Sequence, residues 1–466
     1  MTTSVNKVQL VAWGCFYFFL LLITRILLKY PYYEGDTEVL LTGVDAIKSC
    51  INKGIFLKCP GVVHFPLFQY IPSLLLNALG YSQQFTLRIL ALINSLSFFS
   101  SLILIYFFLK KVTTNWSAQT AILIMVSSPL LWYAKSTFNE MTAAFVTLAF
   151  TGVVLLQYPV WIITLFTFLS GITKEIALPF LLLIGILALF PKILKNPRQC
   201  KSQILGMVYG SVLALASTVT FNYFRFGSPS NTDLIQQTLI VNSATQRLIS
   251  FLGIWLSPNG GILFFWFSWF ICFFSILVAI IKLTIKRFRL TFYELPALTI
   301  IIILFALTFG FASWFAPFGW ACWGPRLMLP WLPSLLLLLI YFYQKEMLAL
   351  LKKVFKNKFF TLLFLFLFFF ISLPQLIVLL YPEIFWLLFT SDDVYNEFPL
   401  ITEPGYYGLL NHLMWTRRPP LFDSIGIILS QKSILMHGFV YFLALSGLIY
   451  LIQRSVSEKQ KHSNLL

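Results

Sequence analysis

The chain has 466 residues, 59% of them hydrophobic and 11% charged, with a formal net charge of +17 and a mean hydropathy of +0.85. That composition excludes a soluble globular domain. It also argues against a nucleic-acid binder despite the positive charge, because the Lys and Arg sit in short clusters between apolar segments, as a positive-inside membrane protein requires.

Apolar stretches of the length that crosses roughly 30 Å of hydrocarbon recur along the whole sequence. They fall near 8–28, 84–109, 117–134, 139–156, 160–172, 175–190, 204–224, 262–281, 295–313, 326–343, 359–380 and 434–452. The first has no small-residue cleavage site after it and reads as a retained signal anchor. With both ends inside, the inner loops hold 19 of the 33 Lys and Arg but only 3 of the 16 acids, Glu294, Glu346 and Glu458. The expected fold class is an all-α polytopic membrane protein with about 12 transmembrane helices. Its longest stretches outside the membrane are 29–83, 225–261 and 381–433.

The first outer loop has an amphipathic pattern. Leu40, Val44, Ile47 and Ile51 recur at helical spacing, Asp36 stands at the expected N-cap, and Gly54 ends the helix. A second amphipathic helix is expected from Pro66 to Leu79, stopping at Gly80. Two such helices suit the interface plane above a cavity. Cys50 and Cys59 share this loop, where an oxidising compartment permits a disulfide. Cys15, Cys200, Cys272 and Cys322 are isolated packing residues, and no spacing suggests a metal site.

Chemistry-bearing residues follow in chain order. Tyr33-Glu34-Gly35-Asp36 offers carboxylates just beyond the first span, fit either for general-base work or simply for capping a helix. Ser128-Pro129 to Glu140 brings Lys135 and Glu140 to the ends of two spans. Lys174-Glu175 lies in Gly171-Ile-Thr-Lys-Glu-Ile-Ala-Leu-Pro179 with little polar sequence around it, either a self-neutralising pair or a functional one. Arg225 in Asn222-Tyr-Phe-Arg-Phe-Gly-Ser-Pro229 and Arg326 in Trp320-Ala-Cys-Trp-Gly-Pro-Arg326 end or begin spans on the outer side, against the charge bias. A lipid phosphate or a substrate phosphate explains an Arg there, since its planar fork keeps its charge. Glu34, Asp36, His64, Lys135, Glu140, Lys174, Glu175, Arg225 and Arg326 thus gather at one membrane face. His412 and His437 read as structural. The run Phe359 to Phe370 is expected to face lipid.

The order of these motifs resembles the polytopic GT-C glycosyltransferases, near the protein O-mannosyltransferase and aminoarabinose transferase group that uses polyprenyl-phosphate sugars. The first span with Glu34-Gly35-Asp36, the segment from His64-Phe-Pro-Leu67 through Gly80 to Leu87-Arg88, Ser128-Pro129 to Glu140, and Gly171 to Glu175 carry the resemblance. Asn222 to Pro229, Leu256-Ser-Pro-Asn-Gly-Gly261 and Trp323-Gly-Pro-Arg326 are similar to motifs of a bacterial subgroup of membrane glycosyltransferases. The resemblance covers residues 8–340. It departs at Asn139-Glu140, where relatives carry Asp, and in having no sizeable C-terminal outer domain.

The resemblance implies a GT-C-like transmembrane module over 1–380 with a catalytic first outer loop at 29–83. The stretch 381–433 is then an outer loop without an assigned role, and 434–466 the last span and a basic inner tail. It implies transfer of a sugar from a polyprenyl-phosphate donor to a lipid, glycan or protein acceptor on the outer face of a bacterial inner membrane. Asp36, with Glu34, would be catalytic, and Lys174, Arg225, Arg326 and Lys135 would bind the donor phosphate. Glu140 and Glu175 would form a second acidic site, and His64 would support the first loop. No cofactor, metal or nucleic acid is expected. Direct displacement would invert the anomeric centre. The rival reading is a lipid-linked glycan flippase or other transporter, whose charges belong near the bilayer midplane rather than at one face.

Overall fold

Runs of Leu, Ile, Phe and Ala without turn residues favour helix, and in hydrocarbon only helices and closed barrels satisfy every backbone polar group. The computed structural model describes residues 35–62, 65–113, 117–174, 177–230, 244–256, 261–273, 277, 295–313, 325–380, 443, 447 and 450. Every regular element among them is an α-helix or a short 3-10 turn. The first loop holds α1 (Gly35–Asn52) and α2 (Leu67–Ala78), and α3 (Gln83–Thr113), α4 (Ser117–Val126) and the single turn α5 (Leu130–Tyr133) follow. Next come α6 (Glu140–Leu155), α7 (Val160–Thr173), α8 (Ala177–Lys195) and α9 (Lys201–Phe226). The described helices continue as α10 (Ala244–Leu256), α11 (Ile262–Phe265), α12 (Leu295–Ala312), α13 (Leu332–Lys356) and α14 (Lys358–Leu380).

The protein is an all-helical integral membrane protein over these residues. Three stretches are long and apolar enough to cross a membrane, Gln83–Lys111, Pro197–Phe226 and Leu295–Ala312. A fourth forms if Leu332–Gln344 and Ala349–Lys356, bent by 82°, count as one broken span. The bend follows Tyr343, whose backbone leaves the helical region. Its hydroxyl accepts the N–H of Ala297, one of the donors that the start of α12 leaves without an intrahelical partner. The expected first and last spans, 8–28 and 434–452, fall outside the described residues apart from isolated positions.

Three expected spans are altered; the stretch 262–281 breaks at Trp266, whose extended backbone ends α11. The stretch 117–134 is not one helix: Ser127-Ser128-Pro129 separates α4 from α5, with Pro129 at the N-cap of α5. Proline has no N–H to continue the ladder. The stretch 326–343 starts as a 3-10 turn, Arg326–Met328, and α13 continues beyond its expected end to Lys356. Within 225–261, expected only as an outer stretch, the chain forms α10. It buries Ile249, Ser250, Gly253 and Ile254, and Trp255 Nε1 donates to Thr308 Oγ1 of α12 at 3.2 Å.

At the centre stands α6, with every residue but Phe145 buried and neighbours in α3, α7, α8 and α13. Around it, α7 and α9 make a very close crossing. A Cβ added at Gly210 would lie 2.6 Å from the Thr164 carbonyl oxygen, and one at Gly206 would lie 3.0 Å from that of Val160. Small residues one turn apart let two backbones approach within a membrane. Gly210→Val is therefore expected to abolish the native crossing, seen as loss of a monodisperse peak in detergent, whereas Leu213→Val on the exposed side of α9 should leave it unchanged. At the periphery, α14 exposes Phe359, Phe360, Leu362 and Phe366 while burying Phe368 and Ile371. The Phe-rich run thus presents one face outward, as expected for lipid contact.

Candidate functional site

The site begins with a stretch of non-helical backbone, residues 134–139, between α5 and α6. Such backbone needs hydrogen-bond partners where water is scarce. Asn94 of α3 supplies them. Its Nδ2 donates to the Ser136 carbonyl at 2.8 Å and to the Phe138 carbonyl. Its Oδ1 accepts the Thr142 hydroxyl at 2.6 Å. The neighbouring Ser95 hydroxyl donates to the Ala134 carbonyl at 2.8 Å. These bonds fix the turn that delivers Glu140 to the first position of α6, where a carboxylate is favoured by the helix dipole.

Two cations converge on that carboxylate. Arg326 Nε donates to Glu140 Oε1 at 2.8 Å, and Lys174 Nζ lies 3.4 Å from the same oxygen. Lys174 is the C-cap of α7 in extended backbone, so the Gly206 and Gly210 crossing with α9 sets its position. Asn139 Nδ2 donates to the Thr173 carbonyl at 3.2 Å and stitches the start of α6 to the end of α7. Arg326 also lies over the Phe138 ring, 4.4 Å from its centroid. The turn bearing Arg326 is tied to α6 by the Thr147 hydroxyl, which donates to the Pro330 carbonyl. Three elements remote in sequence therefore meet at one buried carboxylate. Lys135 is buried in the same turn.

The second carboxylate oxygen is different. Glu140 Oε2 and the neighbouring Asn139 Oδ1 are buried and have no hydrogen-bond partner among the described residues. Leaving a buried acceptor unpaired costs about 1–3 kcal/mol, and such groups concentrate where a site awaits a ligand or stores strain.

The loop that carries α1 and α2 docks beside this turn. The hydroxyls of Thr37 and Thr137 are hydrogen-bonded and buried, so the first turn of α1 abuts the segment that leads into Glu140. Leu40, Val44, Ile47 and Cys50 form the buried seam of α1. Ile51, expected in that seam, is exposed, because Cys50 takes its place. Asp36 is not the N-cap: α1 starts at Gly35, which puts Asp36 within its first turn. The expected ends hold, with positive φ at Gly54 and Gly80.

Cys50 and Cys59 are joined as a disulfide. The far side of the loop is fastened to the end of α9. The N–H groups of Lys58 and Cys59 donate to the carbonyls of Tyr223, which also accepts the Gly227 N–H, and Phe224 at 3.4 and 2.8 Å, so the loop helps to satisfy acceptors at a helix C-terminus. Arg225, expected as a phosphate ligand, is buried here. It donates from Nε to Asn222 Oδ1 at 2.9 Å and from Nη1 to the Phe65 carbonyl at 2.6 Å, between the rings of Phe221 and Phe226. Its described partners thus belong to α9 and the loop. Reducing the disulfide, or replacing both cysteines with serine, is expected to destabilise the loop by about 3 kcal/mol, the loop-closure value for a ring of this size. Hydrogen exchange across residues 35–62 should rise while exchange in α6 does not.

Glu34, His64 and Glu175 lie outside the described residues, as does the side chain of Asp36. Asn94 is the main residue that sequence reading passed over. Its signal was available as an amide within the apolar stretch 84–109, where a polar group needs a partner. An apolar cavity of about 80 Å³, lined by Leu123, Ile271, Leu336, Met347 and Phe364 among others, has none of these charged residues in its wall.

No protein-family model matches the chain, and no curated protein matches it. Among solved structures, ArnT from Cupriavidus metallidurans in the apo state aligns with 93% of this chain and 76% of its own, at 16% identity and a TM-score of 0.43. At that level of overlap the functional reading rests on the residues themselves.

Proposed function

We propose that this chain is a membrane glycosyltransferase that moves a sugar from a polyprenyl-phosphate donor to an acceptor at the outer face of a bacterial inner membrane. The observation that carries the reading is the convergence of Lys174 and Arg326 on buried Glu140 amid apolar helices. Cations held amid apolar helices make a strong anion site, and a guanidinium beside an ammonium suits a phosphate; a phosphate on a lipid tail fits both the chemistry and the setting. Twelve spans with both ends inside complete the layout.

In this reading Lys174 and Arg326 bind the donor phosphate, with Lys135 adding charge from the adjoining turn. They stabilise the negative charge that grows on the phosphate oxygen as its bond to the anomeric carbon breaks. Asp36, in the helix turn beside Thr37, takes the proton from the acceptor hydroxyl or amine. The acceptor attacks the anomeric carbon from the opposite side, through an oxocarbenium-like transition state, and polyprenyl phosphate leaves. The product has inverted configuration. We assign Arg225 to holding the first loop rather than to the phosphate.

The test is binding of undecaprenyl phosphate to the purified protein, followed by thermal shift. Saturable binding is expected for the wild type, weakened at least tenfold in Lys174→Ala and Arg326→Ala. No binding by folded wild-type protein would overturn the proposal and favour the transporter reading.

A further inference from the structure

We infer that Glu140 reads the sugar, its Oε2 accepting a hydrogen bond from a hydroxyl of the group being transferred. The inference rests on the donor class proposed above and adds to it a residue that selects the sugar-bearing donor over the bare lipid phosphate. Glu140 divides its work between its two oxygens. Oε1 takes both cations, Arg326 at 2.8 Å and Lys174 at 3.4 Å, while Oε2 is buried and unpartnered among the described residues. A carboxylate accepts and cannot donate, so the group that completes Oε2 must bring a proton of its own. Asn139 Oδ1, the adjacent residue's acceptor, is buried and unpartnered as well. Two neighbouring acceptors without donors call for a ligand rich in hydroxyl or amino hydrogens, which a phosphate lacks and a sugar has.

Position supports the same assignment. Oε2 belongs to the same carboxylate as the oxygen that meets the cations, so a group seated against it lies beside any anion those cations bind. With a phosphate there, the attached group on one side is the sugar. Of the two cations, Lys174 is the more exposed. Its side chain is 29% exposed where that of Glu140 is 2% exposed, and its 3.4 Å contact is the longer of the two. A phosphate that draws the ammonium group toward itself uncovers the carboxylate behind it.

The experiment compares affinities for undecaprenyl phosphate and for its glucosyl, galactosyl, mannosyl and arabinosyl esters in wild type, Glu140→Gln and Glu140→Asp. Wild type is expected to bind at least one ester tenfold or more tightly than the bare phosphate. In both variants that preference should fall to threefold or less, with bare-phosphate affinity kept or raised because a competing anion is weakened or withdrawn. Glu140→Asp keeps the charge and shortens the reach, so it reports on the contact where Glu140→Gln fails to fold. Wild type that binds bare phosphate and every ester equally would overturn the inference and leave the proposed function standing. An ester preference that persists in a folded variant would do the same. Binding of neither kind of ligand by folded wild type would overturn both.

Discussion

Glu140→Ala is expected to be the most destabilising single change at the site, lowering stability by about 3 kcal/mol. The loss comes less from the missing contacts than from what remains. Arg326 and Lys174 would face each other across apolar surroundings without the carboxylate that Oε1 gives both of them. Removing one partner of a buried ion pair typically costs about 3–5 kcal/mol, and the lower end applies here because Lys174 keeps partial access to solvent. Thermal unfolding in detergent measures the effect, and a second change identifies its cause. Lys174→Met added to Glu140→Ala should recover part of the loss, since it removes a stranded charge. A double variant as unstable as the sum of the two singles would show that the cluster is not electrostatically coupled.

Asp36→Asn is expected to reduce transferase activity by at least a hundredfold while the protein stays folded. A positioned general base contributes about 10²–10⁴ in rate, and an amide cannot take the acceptor's proton. The stability change should be small, about 0.3–1 kcal/mol, because Asp36 sits in the first turn of α1, where its charge favours the helix dipole. At an N-cap the same exchange would be nearly neutral. The assay is turnover of a polyprenyl-phosphate sugar with a matched thermal shift, and full activity in the variant would remove Asp36 from the mechanism.

Much of the first loop was legible because its information is local. The spacing of Leu40, Val44 and Ile47 marks a helix face, and Gly54 and Gly80 mark ends where φ turns positive. The charged residues of the site were legible one at a time, since an ion amid apolar sequence is conspicuous. Their pairing was not. Lys174 stood beside Glu175 as either a self-neutralising pair or a functional one, and nothing local announced its contact with Glu140, 34 residues earlier. Arg326 reaches the same carboxylate across 186 residues. Arg225 mixes local and distant partners. Asn222 and two Phe rings of its own helix surround it, and the Phe65 carbonyl, 160 residues away, adds a bond that its sequence setting does not announce. No local pattern encodes which of two similar arginines a distant loop will claim. The break at Ser127-Ser128-Pro129 was visible in composition, though its use to present Glu140 depends on Asn94 in another helix.

The fastening of the first loop to the end of α9 has a consequence for assembly. Cys50 and Cys59 are nine residues apart and can close as soon as both have been made. The carbonyls of Tyr223 and Phe224 that receive this loop, and the Arg225 that holds Phe65, arrive about 160 residues later. Thr137, which meets Thr37, arrives 100 residues later. The loop is therefore shaped first and seated afterwards, in two steps separated by several helices' worth of synthesis. Oxidation before α9 is in place is productive, because it prepares the backbone of residues 58–59 for a waiting helix end. A substitution that slows the insertion of α9 would then leave a correctly oxidised loop with nowhere to dock.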